Sequence, residues 1–89
     1  MMRAELDGRE IACCGAFHSR IAQALGFPDW YGRNLDALYD CLTYLPAGTE
    51  LVIRHFDGLE GALGVRYAGL IRRVLDDAAA EGNFSWREE

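Results

Sequence analysis

The stretch Trp30-Tyr31-Gly32-Arg33-Asn34-Leu35-Asp36-Ala37-Leu38-Tyr39-Asp40-Cys41-Leu42-Thr43 decides how this 89-residue chain is read. Together with Phe27-Pro28-Asp29 before it, its start has a proline, a glycine and three aromatics without periodicity, the mark of a loop. Asn34 is a good N-cap, and Leu35, Leu38, Leu42 and Leu45 follow at helical spacing until Pro46 and Gly48 end the run. With the leucines turned to a core, Asp36, Tyr39, Asp40 and Thr43 point away from it. Asp36 and Asp40 then stand one above the other on a single face, an arrangement that costs an isolated helix about 0.2–0.5 kcal/mol. Trp30 and Tyr31 are expected to be exposed just before them. On composition alone a solvated helix face is the simpler account. Yet Tyr and Trp are typical interface anchors, and local repulsion has to be offset by something.

Working outward, Met2-Arg3-Ala4-Glu5-Leu6 reads as a short strand ended by the Asp7-Gly8 turn, after which Arg9-Glu10-Ile11 either returns as a second hairpin strand or leads onward. Phe17, Ile21 and Leu25 recur every four residues and predict a helix over 16–25, stopped by Gly26. Leu51-Val52-Ile53 predicts a buried strand. Between His55 and Leu63 the glycines at 58 and 61, with Gly64 just beyond, allow at most a short helix. Val65 to Glu81 reads as the longest helix, with Tyr67, Leu70, Ile71, Val74 and Ala78 on one face, and Phe84-Ser85-Trp86 as a last short strand. Strands separated by helices favour an α/β layer with parallel pairing, in one domain spanning 1–89.

Composition excludes several classes. A hydrophobic share of 51% beside a charged share of 26% describes a globular domain rather than a disordered one. No apolar run approaches the roughly 18–20 residues of a membrane span, and the charged start at 1–10 is expected to be neither signal peptide nor anchor. Fourteen acids against nine arginines, with no lysine, give a net charge of −5. That balance lacks the basic patch of a nucleic-acid binder and favours basic partners. Three cysteines, Cys13 and Cys14 adjacent, make no disulfide framework and are expected to be reduced thiols in the cytoplasm. Cys41 is expected to be a small thiol buried or half-buried in the helix.

The segment from Trp30 to Thr43 closely resembles the central segment of the barstar family, intracellular inhibitors of barnase-type ribonucleases. The likeness runs ungapped from the first strand through the Leu6-Asp7-Gly8 turn and the Phe27-Pro28 approach, and resumes at Ala80-Glu81-Gly82. It implies an α/β fold in which a three-stranded parallel sheet is layered with about four helices. It also implies a cofactor-free inhibitor, monomeric when free, that binds one-to-one to a basic ribonuclease. By matching position, Asp40 is the acid that takes the place of an RNA phosphate and Asp36 the second acid on that face. Trp30 packs against the enzyme's catalytic centre, with Tyr31 and Leu35 in the same contact segment. Gly32 and Asn34 shape the loop, Tyr39 and Thr43 flank the acids, and Asp77 and Glu81 are acids of the long helix that share a face. Trp30 and Tyr39 replace a tyrosine and a tryptophan of the family pattern, and Arg33 stands where that pattern has an acid.

Two other readings compete. The chain is an immunity or interaction module for a different basic toxin, which Arg33 accommodates. Alternatively it is a small enzyme using Asp36 and Asp40 with His18 or His55, although acids at this spacing alone are a weak metal motif. His18 falls at a polar position of its helix and is expected to be solvated. His55, after the second strand, is expected to cap or to sit in a loop.

Overall fold

The fold is described from a computed structural model covering residues 2–89. Three strands, β1 (Arg3–Asp7), β2 (Thr49–Arg54) and β3 (Phe84–Glu88), form one sheet in the order β1-β2-β3. Both pairings are parallel, with Leu6 opposite Ile53 and Leu51 opposite Trp86. Parallel neighbours need crossovers. Helices α1 (Cys14–Leu25) and α2 (Leu35–Thr43) make the first crossover, and α3 (Phe56–Leu63) and α4 (Val65–Ala79) make the second. The α/β architecture with a three-stranded parallel sheet and four helices is thus present in full.

Strand alternation divides the sheet into two unlike faces. Ala4, Leu6, Leu51, Ile53 and Phe84 point into the one core, where they meet Phe17 and Ile21 of α1, Leu38 and Leu42 of α2, and Ile71 and Leu75 of α4. On the other face Val52 is fully buried between Glu5 and Arg87 of the flanking strands. There Arg54 pairs with Glu5 at 2.7 Å, and Arg87 with Glu50 at 3.0 Å and Glu89 at 2.9 Å. A parallel sheet normally has helices on both faces. Here the alkyl stems of charged side chains cover the second face while their heads neutralise one another.

The short strand expected at 84–86 extends into the charged tail as far as Glu88. Its backbone pairs with β2 as far as Ile53, opposite Glu88. Its side chains then tie the strand to α4. Glu88 takes a two-point hydrogen bond from Arg72 at 2.8 and 3.0 Å, and Trp86 Nε1 donates to Asp76 at 2.8 Å. The Arg72 guanidinium also lies 4.0 Å from the centre of the Phe56 ring.

Other boundaries shift for identifiable reasons. Residues 9–11 do not return as a hairpin: Gly8–Glu10 form a single 3-10 turn, capped by the Asp7 carboxylate on the Arg9 N–H at 2.9 Å, and the chain leads onward. The 55–63 segment contains a short helix, α3, of eight residues, in which Gly58 serves contact and Gly61 faces open space. A Cβ on Gly58 would stand 2.7 Å from the Gly8 carbonyl carbon, so the turn and α3 meet backbone to backbone. In α4, Leu70 turns to solvent and Leu75 holds the core position instead. Leu45 is buried but lies past the end of α2, which stops at Thr43.

Gly58→Ala is therefore expected to destabilise the fold by about 1–3 kcal/mol through overpacking. Gly61→Ala, in the same helix but facing open space, is expected to stabilise it by up to about 1 kcal/mol. Chemical denaturation of both variants checks this pair, and equal effects would contradict the backbone contact.

Candidate functional site

The candidate site is built on α2, a helix of nine residues whose start is locally determined. Asn34 caps it, its Oδ1 accepting the Ala37 N–H at 2.8 Å while its Nδ2 donates to the Gly32 carbonyl at 3.3 Å. A Cβ at Gly32 would press to 3.3 Å from that Nδ2 and 3.4 Å from the Ala37 Cβ, which explains the small residue. Between them Arg33 adopts a left-handed backbone, φ 53°, a conformation unfavourable for a residue with a Cβ. Leu38 and Leu42, both fully buried, fasten α2, which packs against α4.

That anchoring leaves Asp36 and Asp40 exposed. Neither makes an ion pair or side-chain hydrogen bond among the described residues. Asp36 lies in the first turn, where the helix N-terminus favours negative charge; Asp40 has no such help. By contrast, six of the nine arginines are engaged in ion pairs, on the sheet face, the first turn and α4. Asp36 and Asp40 are thus among the acids left without an ion pair, one turn apart on a helix that carries no cation of its own. Thr43 Oγ1 donates to the Asp40 carbonyl at 2.8 Å, and Tyr39 is half-buried beside the acids.

The aromatic pair before the helix separates. Trp30 is 80% exposed, but Tyr31, expected at the surface beside it, is buried. The reason is His18, which is likewise not solvated as expected but only 2% exposed. Its Nδ1 lies 2.6 Å from the Tyr31 hydroxyl and its Nε2 lies 2.9 Å from the Tyr67 hydroxyl. A neutral imidazole donates through one nitrogen and accepts through the other, so both tyrosines are satisfied. The triad braces the loop against α1 and α4. It also occupies both ring nitrogens of His18, which removes that residue as a metal ligand or base for the aspartates.

The remaining predicted residues are not all gathered here. Leu35 is half-buried against the core. Asp77 is exposed near the end of α4, but Glu81 lies in the turn beyond Ala79, so the two do not share a regular helical face. His55 is exposed before α3, left-handed at φ 54°, and makes no side-chain cap. Among the described residues no three His, Cys, Asp or Glu side chains converge as metal ligands. Cys41 is buried, which pushes its thiol up from the ordinary value; Cys13 and Cys14 are exposed. Sequence reasoning missed Tyr44, 87% exposed at the end of α2. Its spacing of four from Asp40 was the available signal.

Burial holds the His18 pKa below its ordinary value of 6.5. The unfolded chain therefore takes up the proton first as pH falls. Stability from neutral His18 is full above pH 6.5 and declines on acidification from there towards the lower folded-state value. His18→Gln keeps a donor and an acceptor but does not titrate, so its unfolding free energy is expected to lose this component of the slope. Denaturant melts at pH 7.5 and 5.5 compare the two; identical slopes would contradict the brace.

Comparison with known proteins agrees with this geometry. The family model described as "Barstar (barnase inhibitor)" matches residues 1–88. A Bacillus subtilis (strain 168) protein named "Putative ribonuclease inhibitor YrdF" is 38% identical over 82 residues, covering 91% of this chain and 89% of that protein. With its three parallel strands, capped acidic helix and full-length family match, the chain belongs to the barstar family.

Proposed function

We propose that the protein inhibits a basic ribonuclease by presenting the acidic face of α2 to its active site. The observation that carries this is the pair Asp36 and Asp40, exposed and without counter-ions among the described residues, on a helix fixed by a cap and a buried leucine face. A ribonuclease stabilises a phosphoryl transition state, so its site aims cationic groups at one place. Carboxylates held on a rigid helix satisfy those cations and offer no bond to cleave. Arginine–carboxylate pairs are charge-assisted and often bidentate, which adds geometric selection.

In this reading Asp40 occupies the phosphate position and Asp36 its neighbour. Trp30 covers the enzyme's catalytic centre, and Tyr39 and Thr43 flank the acids. Gly32 and Asn34 set the loop, with Tyr31 supporting it from beneath and Leu35 at the contact's edge. Asp77 and Glu81 add negative charge from α4 and the turn after it. The complex is one-to-one, the free chain a monomer acting inside the cell, and no catalysis is assigned to it. Arg33 favours a second reading of the target. An exposed cation at the head of an acidic face calls for an acid on the partner, so the bound toxin need not be barnase itself.

Calorimetric titration into barnase, with RNA cleavage followed in parallel, tests the proposal. Wild type is expected to bind one-to-one and suppress cleavage. Asp40→Ala is expected to cost about 2–5 kcal/mol of binding, a range for which complexes of this family are themselves a reference case. Its unfolding free energy should be unchanged or raised by up to about 0.5 kcal/mol as repulsion is relieved. The association rate should fall as salt rises. A strongly destabilised Asp40→Ala would make Asp40 structural and overturn the interface.

A further inference from the structure

Beside the acids lies an apolar groove of about 650 Å³ that the reading above leaves unused. Buried Leu25, Cys41 and Leu45 and half-buried Phe27 line its floor, and Trp30 and Tyr44 stand at its rim. At 80% and 87%, these two aromatics are the most exposed large apolar side chains among the described residues. Leaving both in water forgoes hydrophobic stabilisation that a chain of this size has little of to spare.

The groove continues the acidic face. Asp36, Asp40 and Tyr44 are spaced i, i+4 and i+8, so they run as one stripe along α2. Tyr44 is the C-cap, directly after the last residue of that helix, and its N–H still bonds back to the Cys41 and Leu42 carbonyls. The surface therefore reads acid, acid, aromatic, groove. A stable interface covers about 800 Å² on each partner. A nine-residue helix is only about 13.5 Å long, and half of its circumference is committed to the core. A partner seated on the two acids must extend beyond them, and at the C-terminal end of the stripe it meets the groove.

Charge selects the occupant. A second copy docked groove to groove would bring two uncompensated Asp36–Asp40 pairs together, each on a chain of net charge −5. A basic partner meets the acids favourably and covers the groove in the same approach.

The geometry points to a two-part interface. The ribonuclease that receives Asp36 and Asp40 in its cationic site inserts an apolar side chain from the rim of that site between Trp30 and Tyr44, and this contact selects among basic ribonucleases. The inference rests on the inhibitor reading, and its test is built to separate the two.

With barnase as the probe, equilibrium and kinetic binding are measured for wild type, Tyr44→Ala and Asp40→Ala. Tyr44→Ala is expected to weaken binding tenfold or more, through faster dissociation, with the association rate and its salt dependence unchanged. Its thermal unfolding should match wild type, because the side chain is exposed. If Tyr44→Ala binds as wild type while Asp40→Ala does not, the groove is no part of the interface and only this inference falls. If wild type fails to bind, or Asp40→Ala binds equally well, the inhibitor reading against barnase falls and takes the groove with it. If sedimentation shows a free dimer that Tyr44→Ala dissolves, the groove belongs to a second copy, which also overturns the proposal.

Discussion

The candidate site turns on the repulsion between Asp36 and Asp40, which no cation relieves among the described residues. Two carboxylates one helical turn apart disfavour the helix that carries them. That helix is short, below the length at which isolated helices persist in water, so its stability comes from elsewhere. Asn34 at one end, Leu38 and Leu42 beneath, and α4 behind supply it. The rest of the molecule holds an unfavourable charge pair at a fixed place on the surface. Preorganisation of this kind removes an ordering cost that binding would otherwise incur.

The distribution of counter-charge sharpens the point. Arginines are spent on the sheet face and on tying α4 to β3, where Arg54, Arg87 and Arg72 each meet more than one carboxylate. Exposed pairs of that sort add little stability one by one. Their collective effect here is to make one face electrically neutral, so that the field of the molecule is set by the acids left over. Such a field raises encounter rates with basic partners at low salt.

Most of the architecture was legible in the sequence because its signals were local. The Asn34 cap, the leucine spacing, the Gly26 stop and the apolar 51–53 run each specify an element without reference to the others. What escaped depended on contacts far apart in the chain. His18 looks like a surface residue until Tyr31 and Tyr67 arrive from positions 13 and 49 residues away to satisfy both nitrogens. Gly8 and Gly58 look like flexible punctuation until their backbones are seen to touch. The charged residues 87–89 carry no strand pattern of their own, yet alternation sends Glu88 to Arg72 on one side and Arg87 to Glu50 on the other. In the site, the acids were readable by spacing alone. Tyr31 went to the interior because its hydroxyl had a buried partner, which no local pattern announces.

The central claim is that Asp40 stands where a ribonuclease holds phosphate, and a double-mutant cycle tests it most directly. Asp40→Ala would be combined in turn with replacement of each cationic side chain lining the phosphate site of barnase, and the affinities of all four combinations compared. A coupling energy above about 1.5 kcal/mol with at least one of those cations is the predicted result, a threshold for which the barnase–barstar complex is itself the reference case. Additivity within about 0.5 kcal/mol for every one of them would contradict it.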